Sequence, residues 1–173
     1  MNKIKIGFLL TALALPGISY DTKAETMRVG PSVAISFEAG KAALTIDSKA
    51  QLNTLVQDAR ASGKIDEVQI AAWSDNPIPA DKKQLSKADR KLAQRRAKAL
   101  QDYLKKPLNV PSVVVHNMAE RSTWLGRMFG TNDAELKSEI TRGPNAPMSQ
   151  EEFRVFRDNG KPKTAVVLAI VKD

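Results

Sequence analysis

The segment Ile70-Ala71-Ala72-Trp73-Ser74-Asp75 runs from apolar residues straight into a carboxylate, and Asn76-Pro77 then turns the chain away. A second charge is out of pattern further on, in Leu92–Leu104, "LAQRRAKALQDYL". Placed on a helix at about 100° per residue, Leu85, Ala88, Leu92, Ala99, Leu100 and Tyr103 share one arc, and Arg96 falls inside it. An arginine on an apolar stripe must snorkel to water or meet a partner, because an unpaired buried charge costs several kcal/mol. Asp75, at the end of the preceding strand-like run, is the natural partner. Two chemistries fit such a pair. One is a structural ion bridge; the other is a clamp for a zwitterion, with Asp75 accepting from an ammonium and Arg96 donating two parallel bonds to a carboxylate.

The remaining reactive residue types do not assemble into a site. His116 is the single histidine and the chain has no cysteine, so zinc would lack its preferred ligands. Glu120 follows His116 at helical spacing, but Val113-Val114-Val115 before it is strand-like, which makes the histidine structural. No nucleophile elbow of the G-x-S-x-G kind occurs, nor any S-x-x-K. The expectation is a protein that is not an enzyme, with no cofactor and no metal.

The elements that must position Asp75 and Arg96 follow from periodicity. Met27–Phe37 alternates apolar Val33, Ile35 and Phe37 with small or polar residues, as a half-buried strand does, and Pro31 confines its start to an edge. Thr45 is the expected cap of a helix with Asp47 in its first turn and Leu52, Leu55, Val56 and Ala59 on its inner face, ending at Ser62-Gly63. Lys64–Glu67 is a link and Val68–Trp73 a second strand. Residues 76–84 have turn and linker composition, and Ser86 caps the helix that carries Arg96. Val110–His116 and the apolar run from Thr164 supply two more strands, and Ser149–Phe156 between them is a short helical candidate. Alternating elements of this kind predict an α/β fold, an α+β sandwich ordered β-α-β-α-β-(insertion)-β, with its helices packed on one mixed sheet.

At the N-terminus, Lys3 and Lys5 precede an apolar run, Ile6–Leu15, too short to span a membrane. Residues 1–24 are therefore expected to be a cleaved signal peptide and residues 25–173 a single exported domain, periplasmic and without a transmembrane segment. The formal charge of +8 drops by two on cleavage, since Lys3, Lys5 and Lys23 leave with Asp21, giving +6. A basic exported domain suits an anionic partner such as cell wall. Nucleic acid is not expected: the basic helix face lacks interleaved aromatics for base stacking.

Taken together, Ser36-Phe37, Leu44-Thr45, Val68–Asp75 with its terminal Ser74-Asp75 pair, "LAQRRAKALQDYL" and the last apolar strand resemble the OmpA-like C-terminal domain, the peptidoglycan-binding module of Gram-negative envelopes. The resemblance covers roughly residues 33–120 and 163–172. It implies that Asp75 and Arg96 grip the diaminopimelate of the peptide stem, with Ser74, Asp89 and Leu92 at neighbouring motif positions. It also implies a partner in an outer-membrane or secretion assembly that the module ties to the wall. Asp89 stands where the family commonly has asparagine and Ala93 where it has serine. The family's basic Asn-Arg-Arg-Val approach to the last strand is replaced by Asn159-Gly160-Lys161-Pro162-Lys163-Thr164-Ala165-Val166. The alternative is a protein-interaction scaffold of the same fold. Its contact surface would be the insertion at about 122–162, where Trp124, Leu125, Met128 and Phe129 are spaced like one helical face.

Overall fold

The structure, a computed structural model, describes residues 26–77, 85–119 and 149–173. The expected signal peptide and the cluster around Trp124 and Phe129 lie outside those residues. Among the described residues, seven elements follow in chain order: β1 (Met27–Ser36), α1 (Ile46–Ser62), β2 (Lys64–Ala72), α2 (Lys87–Lys105), β3 (Val113–Asn117), α3 (Gln150–Asn159) and β4 (Thr164–Lys172). The strands form one mixed sheet ordered β1-β4-β2-β3, in which β4 is antiparallel to both neighbours and β2 is parallel to β3.

The C-terminal strand is thus central, and the sequence shows why. Every residue from Thr164 to Val171 is buried, because helices cover both faces of the strand, and a strand covered on both faces reads as an unbroken apolar run. Pro31 sits on edge strand β1, where the pairing with β4 shifts register between Val29 and Ser32, so its missing N–H interrupts no interior ladder.

One face of the sheet packs Val68, Ile70, Ala165, Val167 and Ala169 against Leu52, Leu55 and Val56 of α1 and Ala97, Leu100 and Leu104 of α2. α1 begins as its sequence dictates, with the Thr45 hydroxyl accepting from the Ser48 N–H at 3.1 Å. The other face packs Ala71, Trp73, Val166, Leu168 and Ile170 against Phe156 of α3. That helix lies within the stretch expected to be an insertion. It starts with a capping box, in which the Ser149 hydroxyl accepts from the Glu152 N–H and the Glu152 carboxylate accepts from the Ser149 N–H, each at 3.2 Å. The architecture is an α+β sandwich whose described insertion residues supply the second helical layer.

Two boundaries and one helix face differ from the sequence expectation. β2 begins at Lys64, since the supposed link Lys64–Glu67 already pairs with β4. β3 starts at Val113, because the Val110 N–H is taken by the Leu104 carbonyl at the end of α2. The inner face of α2 is turned by about 60° from the projected arc. Ala93, Ala97 and Leu104 are buried while Ala88 is exposed and Ala99 half-buried, because the sheet draws in the small alanines beside Arg96.

Candidate functional site

Asp75 and Arg96 meet. β2 ends at Ala72, Trp73 continues the sheet by donating its N–H to the Thr164 carbonyl at 2.9 Å, and Ser74 then breaks the ladder. The Ser74 hydroxyl, itself buried, accepts from the Asn76 N–H at 3.2 Å, a local turn that swings Asp75 off the strand. Asn76 is held in turn by Asp89: its amide donates to the Asp89 carboxylate at 2.9 Å, while the other Asp89 oxygen accepts from the Ser86 hydroxyl at 2.6 Å. Ser74 and Asp89 therefore shape the loop carrying Asp75, and Leu92 is buried one turn before Arg96. The five residues at the expected peptidoglycan-binding positions belong to this one corner of the fold.

Among the described residues Arg96 is the largest fully buried side chain, at 0% exposure. Its burial is made possible by four acceptors. The Nε donates to the Lys41 carbonyl at 2.9 Å and Nη1 to the Trp73 carbonyl at 2.9 Å. Nη2 donates to the Glu38 carbonyl at 3.1 Å and to Asp75 Oδ1 at 2.5 Å. Four of the five N–H donors of a guanidinium are thus spent within the protein. The Phe37 ring lies beneath, its centroid 5.0 Å from the guanidinium carbon, a cation–π contact. In this arrangement the fork faces the protein and pins three segments together: the loop after β1, the end of β2, and α2.

Asp75 is the part of the pair that reaches water, its side chain 23% exposed. While Oδ1 takes the Arg96 bond, Oδ2 accepts from the Gly40 N–H at 2.6 Å. Gly40 has φ 69°, a left-handed conformation that a side chain disfavours and that aims its N–H at the carboxylate. Burial alone would raise the Asp75 carboxyl. Hydrogen bonds from Arg96 and Gly40, together with the positive charges of Arg96 and Lys163, outweigh it and hold the group below its usual value.

Sequence reasoning missed Gly40 and Lys163. Lys163 stands at φ 64°, donating its backbone N–H to the Ser74 carbonyl at 2.7 Å and accepting from the Phe37 N–H at 2.8 Å. These bonds fix it beside Asp75 with its side chain exposed. A lone basic residue at the start of an apolar strand, after Pro162, was the available signal; the partner across the loop was not visible in one dimension. Trp124 and Phe129 lie outside the described residues. Among the described residues no cluster of three metal-ligating side chains occurs, and no helix is long and apolar enough to cross a membrane.

His116 lies on β3, as its strand-like neighbours predicted. Burial lowers its pKa, and the buried carboxylate of Glu152 on α3 partly offsets this. Its ring meets Phe156 edge-on, with centroids 6.2 Å apart.

No family model matches this chain, and no curated protein matches it. Among solved structures it is similar to the OmpA-like domain of FopA1 from Francisella tularensis subsp. tularensis SCHU S4. The identity is 16%, with 90% of this chain and 86% of that one covered, and the TM-score is 0.42. A likeness that distant says nothing about which residues bind.

Proposed function

We propose that this protein is a non-enzymatic, periplasmic binding module for peptidoglycan, taking the ammonium of a diaminopimelate side chain on Asp75 and so tethering an envelope assembly to the wall. The observation that carries the reading is the state of the Asp75 carboxylate. Each of its oxygens accepts one bond from the protein, and a carboxylate has about four acceptor sites. Two remain for a ligand on a side chain that is fixed, ionised and open to water. A pre-positioned anion of this kind binds a cation without the entropy cost of ordering its own rotamers. Arg96 supports this role from behind by holding Asp75 and the surrounding carbonyls. The motif residues Ser74-Asp75 and Leu92–Leu100, which resemble the peptidoglycan-binding pattern, point to the same class of ligand.

Co-sedimentation of the purified protein with insoluble Gram-negative peptidoglycan tests the proposal. Wild type is expected in the pellet, displaced by soluble diaminopimelate-containing stem peptide, and Asp75→Ala in the supernatant. Arg95→Ala, on the exposed side of α2, should still pellet. Wild type remaining in the supernatant at modest ionic strength would overturn the reading. Partner capture through the 122–162 insertion, with Trp124 and Phe129 as its anchors, would then take its place.

A further inference from the structure

Asp75 provides for only one half of a zwitterionic ligand. A diaminopimelate side chain ends in both an ammonium and a carboxylate, and Arg96, wholly buried with four donors already spent, presents no free fork to the second group. Lys41, a second cation of this corner, is itself engaged: its ammonium lies 2.5 Å from the Glu38 carboxylate. We infer that Lys163 is the residue that receives the ligand's carboxylate, so that the exposed Asp75–Lys163 couple, and not Asp75–Arg96, selects a side chain ending in both an amine and an acid.

Three observations support this assignment, which rests on the peptidoglycan reading. First, Lys163 is anchored at the site by its backbone, through the bonds to Ser74 and Phe37, while its side chain is exposed. Second, its backbone is left-handed, a conformation that is disfavoured for a residue with a Cβ. Lysine occupies a position where glycine would be easier, and local packing does not account for the choice, since the side chain points into water. Third, among the described residues no ion pair engages the Lys163 ammonium. It is close enough to lower the Asp75 carboxyl electrostatically. An ammonium is a point donor, so the contact it makes with a carboxylate is single and tolerant of angle, unlike the arginine fork.

The inference predicts discrimination between two ligands that differ by one carboxylate. Isothermal titration of the purified protein would compare a stem peptide carrying diaminopimelate with the same peptide carrying lysine in that place, which keeps the amine and lacks the acid. Wild type should prefer the diaminopimelate peptide by about tenfold, the scale of one charge-assisted bond at a partly exposed site. Lys163→Gln should bring that ratio to within about twofold without weakening the lysine peptide, and Lys163→Arg should restore the preference. Asp75→Ala should weaken both peptides. A full preference retained in Lys163→Gln, or equal binding of the two peptides by wild type, overturns the inference and leaves the Asp75 reading standing. Wild type that binds neither peptide overturns the peptidoglycan reading and this inference with it.

Discussion

Arg96 holds this corner of the fold together, and Arg96→Ala measures how strongly. The substitution takes the donor from the Lys41, Trp73 and Glu38 carbonyls and from Asp75. Bonds to a charged donor contribute about 1.5–3 kcal/mol each, and a buried acceptor left bare costs about 1–3 kcal/mol. The Trp73 carbonyl is the bond buried on both sides; the other three lie in partly buried surroundings that water can refill. Counting the Trp73 carbonyl at its full cost, the others at about 1 kcal/mol each, and the contact with Phe37 at about 0.5 kcal/mol gives a total near 5 kcal/mol. Against the 5–15 kcal/mol typical of a whole domain, that is a large share. Urea denaturation followed by far-UV circular dichroism should show it as a midpoint lowered by about 2.5 M, for a slope near 2 kcal/mol per molar. Arg95→Ala, one residue away and exposed, is the control and should fall within about 0.5 kcal/mol of wild type. A loss below about 1 kcal/mol for Arg96→Ala would refute the view of Arg96 as the pin of three segments.

Other consequences follow from specific contacts. Gly160 caps α3 against the Trp73 ring, and a Cβ there would lie 2.2 Å from two ring atoms. Gly160→Ala should therefore cost about 1–3 kcal/mol and alter tryptophan fluorescence, and an unchanged melt and spectrum would count against the packing of α3 on the sheet. Ser149→Ala removes the hydroxyl of the α3 capping box and should destabilise by about 1 kcal/mol, measured by the same urea titration. The native His116 titrates below its unfolded value of about 6.5, so the unfolded chain takes up the proton first. Stability should thus fall as pH drops from about 6.5 toward the folded pKa. His116→Gln should flatten that part of the profile, and a slope unchanged by the substitution would exclude His116 as its source. Asp75 behaves in the same sense lower down: its folded carboxyl is depressed, so its contribution is present above about pH 4 and lost as pH falls through the folded value.

What the sequence could convey depended on the range over which each signal acts. Caps and periodicity are local, and Thr45, Ser86 and Ser149 each begin a helix where their spacing indicated. Arg96 was conspicuous because its charge contradicts the apolar stripe around it, and the structure resolves that contradiction with carbonyls from two other segments. Backbone acceptors have no sequence signature, so the saturation of the guanidinium could not be foreseen. The rotation of α2 had a similar origin: alanines are ambiguous on a helical wheel, and the sheet decided which of them to bury. The second helical layer was only half visible. Ser149–Phe156 read as helical from its own pattern, but its docking on Trp73 and Leu168 is a long-range choice made by the sheet face it covers.

The most direct test of the central claim uses the Gly40 amide, whose hydrogen is bonded to Asp75 at 2.6 Å and so reports on that carboxylate alone among the backbone groups of the corner. Diaminopimelate-containing stem peptide titrated into isotopically labelled protein should shift the Gly40 amide resonance first, together with those of Ser74, Asp75 and Lys163, with one saturating isotherm for all four. Resonances that move only along the exposed face of α2, or a Gly40 signal that stays fixed while others saturate, would contradict the claim that Asp75 is the seat of binding.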